Sequence, residues 1–132
     1  MRDIEFRAKS KEKGEWVYGY LVKSDYGNYY ITKNLDNFVW IDETTIGEYT
    51  GLKDKNGTKI FEGDIINARS EKLIVKCGEF KTESFKTEFP YAKKTKQYGF
   101  YAESTKDKEQ VLLVKPNGVE VIGNIYDESD VK

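Results

Sequence analysis

Three carboxylates near the middle of the chain are candidates for a small catalytic or metal-binding site. Glu62 and Asp64 lie two positions apart, and Asp54 precedes them in a stretch that is dense in turn-forming residues. Such a group can bind a divalent cation or carry out acid–base chemistry. However, no third ligand stands at an evident spacing. We therefore expect Asp64 to hold a tight turn before its strand, and we predict neither a metal site nor a cofactor.

The composition excludes several other kinds of catalytic site. The 132 residues include no histidine and a single cysteine, Cys77. Neither a Ser-His-Asp triad nor a site made of several thiolates can therefore form within the chain. The familiar glycine-rich motifs that bind phosphate are also missing. We assign no catalytic residue and expect that the protein is not an enzyme.

A mixture of basic and aromatic residues in the second half of the chain suggests nucleic-acid binding. Residues 69–97 include eight Lys or Arg and four Asp or Glu. Small β-barrels bind single-stranded nucleic acid by stacking bases on aromatic rings beside a basic groove. The candidate contacts are Tyr91, Lys93, Lys94, Lys96, Tyr98 and Tyr101. Two observations argue against this interpretation. The formal net charge of the chain is −1, and charged runs of this kind are usually solvated loop faces.

Periodic patterns predict the elements that position these residues. Alternating apolar and polar side chains, bounded by turn signals, indicate short strands and minimal helix. The predicted strands are residues 3–9, 15–23, 29–32, 38–41, 65–66, 73–75, 98–102, 111–115 and 119–122. Residues 69–97 otherwise fit no period and predict a long irregular hairpin, in which Pro90 excludes a central strand. An all-β barrel is the fold that these patterns favour.

The central stretch, EYTGLKDKNGTKIFEGDII at residues 48–66, has the residue types of a hairpin turn and its exit. Asp54 and Gly57 fit the first and fourth positions of a type I turn with a bulge, whereas Asn56-Gly57 also fits a type I′ turn. Gly63 predicts a positive φ or a close approach of the backbone. We interpret this stretch as a structural motif and not as a binding loop. Its residues are Gly51, Asp54, Asn56, Gly57, Gly63 and Asp64.

On these residues the chain resembles the YopX family. The resemblance rests on residues 45–66, on the opening Ile4-Glu5-Phe6-Arg7-Ala8, and on the closing residues 121–126. It extends over essentially the whole chain, which implies a single domain at 1–132, with 69–97 as a variable, locally basic segment. Lys9 departs from the family, whose members often have Trp there. The resemblance also implies a phage or prophage gene of Gram-positive bacteria and a compact antiparallel β-barrel related to SH3-like barrels. It brings no established activity, catalytic residue or cofactor.

These observations favour a phage accessory protein that is a non-catalytic β-barrel module for protein interaction. The protein partner is unknown, and a homo-oligomer is one arrangement to be considered. The alternative is a β-barrel that binds nucleic acid through residues 69–101. We expect no membrane association, because the apolar runs are too short to span a bilayer and the first ten residues are charged. The same observations favour a cytoplasmic location, and the resemblance implies that the cell is a bacterial host.

Overall fold

The computed structural model describes residues 4–68, 71–83, 94–106, 110–112 and 118–127. Within these ranges the regular structure is almost entirely β. The elements are β1 (Phe6–Lys9), β2 (Trp16–Lys23), β3 (Tyr29–Thr32), β4 (Val39–Trp40), a 3-10 helix (Glu43–Thr45), β5 (Gly47–Lys53), β6 (Lys59–Phe61), β7 (Asp64–Ala68), β8 (Glu71–Glu83), β9 (Lys94–Ser104), β10 (Gln110–Leu112) and β11 (Glu120–Asn124).

The strands form two antiparallel sheets, which confirms the predicted all-β class. The chain divides into two compact units, one made of Met1–Gly51 with Lys59–Phe61, and the other of Leu52–Thr58 with Glu62–Lys132. The first sheet has the strand order β4-β3-β2-β1-β5-β6, and the second has the order β10-β9-β8-β7-β11. In the described ranges no helix has the length and apolar character that a membrane span requires.

The core of the first unit follows from alternation along its strands. Ala8, Ile31 and Ile41 are buried together, and half-buried apolar side chains of neighbouring strands pack around them. Ala8 lies opposite Val17 in the register of β1 with β2. Burial of such side chains removes apolar surface from water and is the main stabilising contribution to a sheet of this size.

The chain segments that follow β1 and β4 are bonded to each other. Ser10 and Ile41 form an isolated antiparallel bridge. The N–H of Lys11 donates to the carbonyl of Trp40 at 2.9 Å, and the N–H of Asp42 donates to the carbonyl of Lys9 at 2.8 Å. These bonds join the two strands that flank the β2–β3 pair.

The 3-10 helix begins after an aspartate cap that the sequence patterns did not predict. One oxygen of Asp42 accepts hydrogen bonds from the N–H and the hydroxyl of Thr44 at 3.0 and 2.7 Å. These two bonds hold the pKa of Asp42 below its ordinary value, assisted by the Lys11 charge and opposed by partial desolvation. The hydroxyl oxygen of Thr45 accepts from the N–H of Lys9, so the helix is tied to the end of β1.

The β8–β9 pair differs from the prediction of an irregular hairpin. The two strands pair continuously from Leu73 with Ser104 to Glu83 with Lys94. The prediction was wrong over 76–83 and 94–97 because a ladder of backbone hydrogen bonds does not require an apolar period in the side chains. Pro90 lies outside the described residues.

The β8–β9 ladder is longer than the strands that pair with it on either side. β7 pairs with β8 over residues 71–74, and β10 pairs with β9 over residues 101–103. From Cys77 with Phe100 to Glu83 with Lys94, β8 and β9 pair only with each other among the residues that the structure describes. We call these seven pairs the two-stranded extension.

Candidate functional site

The central motif forms a type I turn followed by a bulge. The N–H of Gly57 donates to the carbonyl of Asp54 at 3.0 Å, and the N–H of Asp54 donates to the carbonyl of Thr58 at 2.8 Å. Gly57 has a φ of +84°, whereas Asn56 is not among the residues with positive φ. A type I′ turn requires positive φ at both central residues. The predicted type I turn with a bulge is therefore confirmed, and the alternative type I′ turn is wrong.

The carboxylate of Asp54 is the centre of this turn. Its Oδ1 accepts hydrogen bonds from the N–H groups of Asn56 and Thr58 at 2.8 and 2.9 Å. Its Oδ2 accepts from the N–H of Val121 at 2.9 Å. Only 7% of Asp54 is exposed. All three backbone donors are thus satisfied by one buried side chain, which explains why an aspartate and not a shorter or neutral residue stands here.

The ionisation of Asp54 reflects two opposing effects. Desolvation by burial raises the pKa of its carboxyl group. The N–H groups of Val121, Thr58 and Asn56, together with the charge of Lys55, outweigh this effect and place the pKa below its ordinary value. The group is therefore a carboxylate at neutral pH, held by donors that belong to the fold, and has no proton to supply in general acid catalysis.

Gly63 has both of the features that its sequence context predicted as alternatives. It has a φ of +93°, and a Cβ atom added to it would lie 2.9 Å from Cε2 of Tyr126. Its N–H donates to the carbonyl of Val75 at 2.8 Å, and its carbonyl accepts from the N–H of Ile125 at 3.0 Å. Gly63 therefore joins β8 to the segment that follows β11.

The remaining motif residues lie in strands. Gly51 is in β5 with a φ of +87°, and Asp64 is buried as the first residue of β7, opposite Asn124 of β11. Glu62 is half-buried in the turn before it. Over the described ranges, no three His, Cys, Asp or Glu residues come together as a group that could hold a metal ion.

The candidate nucleic-acid contacts do not form one described surface. Tyr98 is 83% exposed, whereas Tyr101 is 8% exposed, so the ring of Tyr101 is not open to a base from solvent. The backbone positions of Lys94 and Lys96 are in β9, opposite Glu83 and Lys81. Tyr91 and Lys93 lie outside the described residues.

A second feature, which we call the aromatic groove, lies in the first unit. Trp40 is 43% exposed and Phe38 is 48% exposed. Together with the turn that follows β1, they border a cavity of about 390 Å³. Its lining residues are Ser10, Glu12, Lys13, Glu15, Val17, Phe38, Val39 and Trp40. The ammonium group of Lys11 lies 5.0 Å from the centre of the Trp40 ring.

The sequence contained a partial signal for this groove. Alternation over residues 38–41 places Phe38 and Trp40 on one face of a strand and Val39 and Ile41 on the other. Both faces are apolar, so the pattern could not indicate which of them the core would cover. In the structure Ile41 is buried, and the face with the two aromatic rings is left in contact with solvent.

A further cavity of about 460 Å³ lies beside β2 in the same unit, lined by Ile4, Glu5, Tyr18, Gly19, Tyr20 and Lys33. Tyr20 is more exposed than Tyr18, and Tyr29 and Tyr30 are half-buried. Tyrosines on a strand surface commonly have a buried ring and a solvated hydroxyl group. Ordinary packing of strand tyrosines therefore accounts for this cavity. The groove with an exposed Trp and Phe is the stronger candidate for a binding site.

Comparison with known proteins identifies the family. The chain finds no match among curated proteins. The family model described as YopX protein matches residues 5–131, which is nearly the whole chain and includes the Asp54 turn, Gly63 and β11. The protein therefore belongs to the YopX family.

Proposed function

We propose that the protein is a non-catalytic module that binds another protein through the aromatic groove. The observation that carries the proposal is the partial exposure of Trp40 and Phe38 beside a cavity of about 390 Å³. Exposed Trp and Phe side chains lose favourable burial energy unless a partner covers them, and both residues are enriched in protein interfaces. The charged residues around the groove match the polar rim of such interfaces.

The arrangement of the first unit supports a finer description of its fold. We propose that β1 to β4 form a small barrel related to SH3-like barrels. The support comes from the Ser10–Ile41 bridge and the neighbouring hydrogen bonds, which connect the ends of β1 and β4. An experimental structure in which these two segments do not pair would refute the barrel.

We also propose a biological setting for the protein. The resemblance to the YopX family favours an accessory protein of a bacteriophage or prophage that acts in the cytoplasm of its host. A gene survey that finds relatives mainly outside phage regions, or fractionation that places the protein outside the cytoplasm, would contradict this setting.

Affinity capture from lysogenic or infected cells tests the proposed function. The bait is the intact chain, compared with Trp40→Ala and Phe38→Ser variants and with Tyr26→Ala as a matched control. Tyr26 is an exposed aromatic residue in the β2–β3 turn and is not among the residues that line the groove. We expect a specific partner to be lost with both groove variants and retained with the control. Capture that is equal for all four baits would refute the proposal.

A second candidate function is nucleic-acid binding by the two-stranded extension. The register places Lys81 opposite Lys96, and Tyr98 is strongly exposed on the same pair of strands. A two-stranded ribbon also fits the major groove of DNA. Glu79 and Glu83 lie opposite Tyr98 and Lys94, which makes the extension less basic than its lysines alone indicate.

Salt-dependent binding separates the two functions. Single-stranded and double-stranded DNA and RNA are titrated at low and physiological salt with the intact chain and a Lys81→Gln/Lys96→Gln variant. Binding through phosphates weakens steeply as salt rises, with a smaller slope for the variant. If no binding occurs at low salt, the nucleic-acid function is wrong.

A further inference from the structure

We propose that Asn56 is a site of spontaneous deamidation and that the Asp54 turn controls the rate of the reaction. The inference concerns the tip of the central motif and is independent of the aromatic groove. It follows from the residue that comes after Asn56, from the exposure of the turn, and from the hydrogen bonds that restrain the reacting groups.

Deamidation of an asparagine begins with an attack by the backbone nitrogen of the next residue, and asparagine is counted among the thermolabile residues. Here the nitrogen of Gly57 bonds to Cγ of Asn56 and the Cγ–Nδ2 bond breaks. Nδ2 leaves as ammonia and takes with it the proton of the Gly57 N–H. Water then opens the succinimide ring to aspartate or to isoaspartate. The reaction consumes water and needs no enzyme, cofactor or oxidant.

Asn56 has both the sequence and the exposure that this attack requires. Asn56 and Asn117 each precede a glycine, whereas every other asparagine precedes a residue whose side chain crowds the attacking nitrogen. Asn56 is exposed, and a Cβ atom added to Gly57 would meet no atom within 4 Å beyond its chain neighbours. The nitrogen of Gly57 is therefore sterically accessible. Asn117 lies outside the described residues.

The closed turn restrains the groups that react. The N–H of Gly57 donates to the carbonyl of Asp54 at 3.0 Å, which holds on the nitrogen the proton that must leave. The backbone N–H of Asn56 donates to Oδ1 of Asp54 at 2.8 Å, and its Nδ2 donates to Oε2 of Glu120 at 3.4 Å. Ring closure requires Asn56 to rotate against these bonds. The reaction should therefore be slow in the closed turn and faster when the turn opens.

The product changes the contact between the turn and β11. The amide of Asn56 donates to the Glu120 carboxylate, whereas a carboxylate in its place would repel it. Glu120 is the first residue of β11, and the N–H of the next residue, Val121, donates to Oδ2 of Asp54. The isoaspartate form also adds a methylene group to the backbone of the turn. Deamidation therefore weakens the attachment of β11 to the turn.

Mass spectrometry of the purified chain tests the proposed site. The intact chain is incubated for several weeks at mildly alkaline pH and cut with chymotrypsin. The peptide of residues 53–61 is then analysed for the mass gained when an amide becomes an acid, and electron-transfer fragmentation separates aspartate from isoaspartate. We expect both products at Asn56 and neither at Asn34, which precedes a leucine. Absence of both products at Asn56 would overturn the inference.

Variants test the control by the turn. Asp54→Ala removes the acceptor of the Asn56 N–H and should accelerate deamidation at least about five-fold. Glu120→Ala removes only the exposed contact of the amide and should accelerate it about two-fold. Urea opens the turn of the intact chain without a substitution and should give the fastest reaction. Asp25→Ala, in another exposed turn, should leave the rate unchanged.

The rates decide the inference even if Asp54→Ala fails to fold, which thermal melts would reveal. In that case its rate should equal the rate in urea, and Glu120→Ala provides the test in a folded chain. Equal rates for the intact chain with and without urea would overturn the control by the turn. Equal rates for Glu120→Ala and Asp25→Ala would do the same for the contact with Glu120.

Asn56→Asp reproduces one product and tests its effect on β11. We expect its melting temperature to be about 1–4 °C lower than that of the intact chain, with a smaller difference at high salt. Asn56→Asp/Glu120→Gln should recover most of the loss, with Glu120→Gln alone as the matched control. Equal melting temperatures for the intact chain and Asn56→Asp would overturn the proposed effect of deamidation on β11.

Discussion

The carboxylate of Asp54 accepts a hydrogen bond of 2.9 Å from the backbone N–H of Val121, 67 positions further along the chain. The same side chain accepts the N–H groups of Asn56 and Thr58 within its own turn. A single residue therefore stabilises both the reversal of the chain and the attachment of β11 to that reversal.

Removal of this carboxylate should lower stability markedly. We expect Asp54→Ala to reduce the free energy of unfolding by about 2–4 kcal/mol, because three backbone N–H groups lose their shared acceptor. Asp54→Asn keeps one carbonyl oxygen and should cost less. Urea denaturation measures the change, and Asp25→Ala, which alters an exposed turn residue, is the control. A loss for Asp54→Ala no larger than the control would contradict the role of the carboxylate.

The Asp54 carboxylate should also make stability depend on acid pH. Burial raises its pKa, but the three N–H donors and Lys55 lower it below the ordinary value. Its contribution to the free energy of unfolding is therefore complete above the pKa of the unfolded chain, about 3.9, and is lost as the pH falls through that value towards the folded pKa.

The comparison of intact chain and Asp54→Asn at pH 7 and pH 3 measures this dependence. We expect the difference in free energy of unfolding to be larger at pH 7. The pKa of Asp42 is also lowered. Asp42→Asn is therefore introduced into both proteins of the comparison, so that the Asp42 carboxylate does not contribute to the pH dependence. A difference that stays constant between the two pH values would show that Asp54 is not the titrating group.

Gly63→Ala should destabilise the second unit for two separable reasons. A left-handed φ of +93° is unfavourable for alanine, and the new Cβ would meet the ring of Tyr126 at 2.9 Å. We expect a loss of about 2–4 kcal/mol in the free energy of unfolding. In a double-mutant cycle, Tyr126→Leu should recover the part that is due to the ring. Strictly additive losses would show that the ring makes no contribution.

Leu35 is a position where substitution should increase stability. It is the one non-glycine residue with a positive φ, +68°, among those that the structure describes, and its side chain is exposed. Asparagine tolerates this conformation better, so Leu35→Asn should raise the free energy of unfolding by about 0.5–1 kcal/mol. Leu35→Ala removes the same apolar surface but keeps the strain. Equal melting temperatures for the two variants would refute the strain argument.

Arg7→Lys should be destabilising although it preserves the charge. The Cζ atom of Arg7 lies 4.7 Å from the ring centre of Trp16 and 4.9 Å from that of Phe61. A planar guanidinium group stacks on two rings in a way that an ammonium group cannot, and we expect a loss of about 1–2 kcal/mol. Lys9→Arg, beside the same Trp16, is the control and should be nearly neutral. Similar values for the two variants would contradict this explanation.

The sequence predicted the parts of the fold that depend on neighbouring residues. The second and third strands, predicted at 15–23 and 29–32, are Trp16–Lys23 and Tyr29–Thr32 in the structure. Strict alternation and adjacent turn residues are local signals, and they are sufficient for elements of this length. The type I turn at Asp54 was likewise one of the two turn types that the local residues predicted.

Other features depend on partners that are distant in sequence. The length of β8 and β9 follows from their mutual pairing and not from a period in either strand. No local pattern connects Asp54 to Val121. Exposure of Phe38 and Trp40 depends on which face of β4 the core covers, and the capped turn at Asp42 contains only common polar residues. These features required the three-dimensional structure.

The pairing of β7 with β11 has a consequence for how the second unit folds. The turn at residues 54–58 closes over a few residues and can form within microseconds. The bond from Asp54 to Val121 closes a loop of 67 positions, and the entropy lost in closing such a loop precedes any favourable contact that it allows. Pairing of β11 should therefore limit the rate of folding. Changes in this strand, and changes in the turn that has already formed by then, should both slow folding more than they accelerate unfolding.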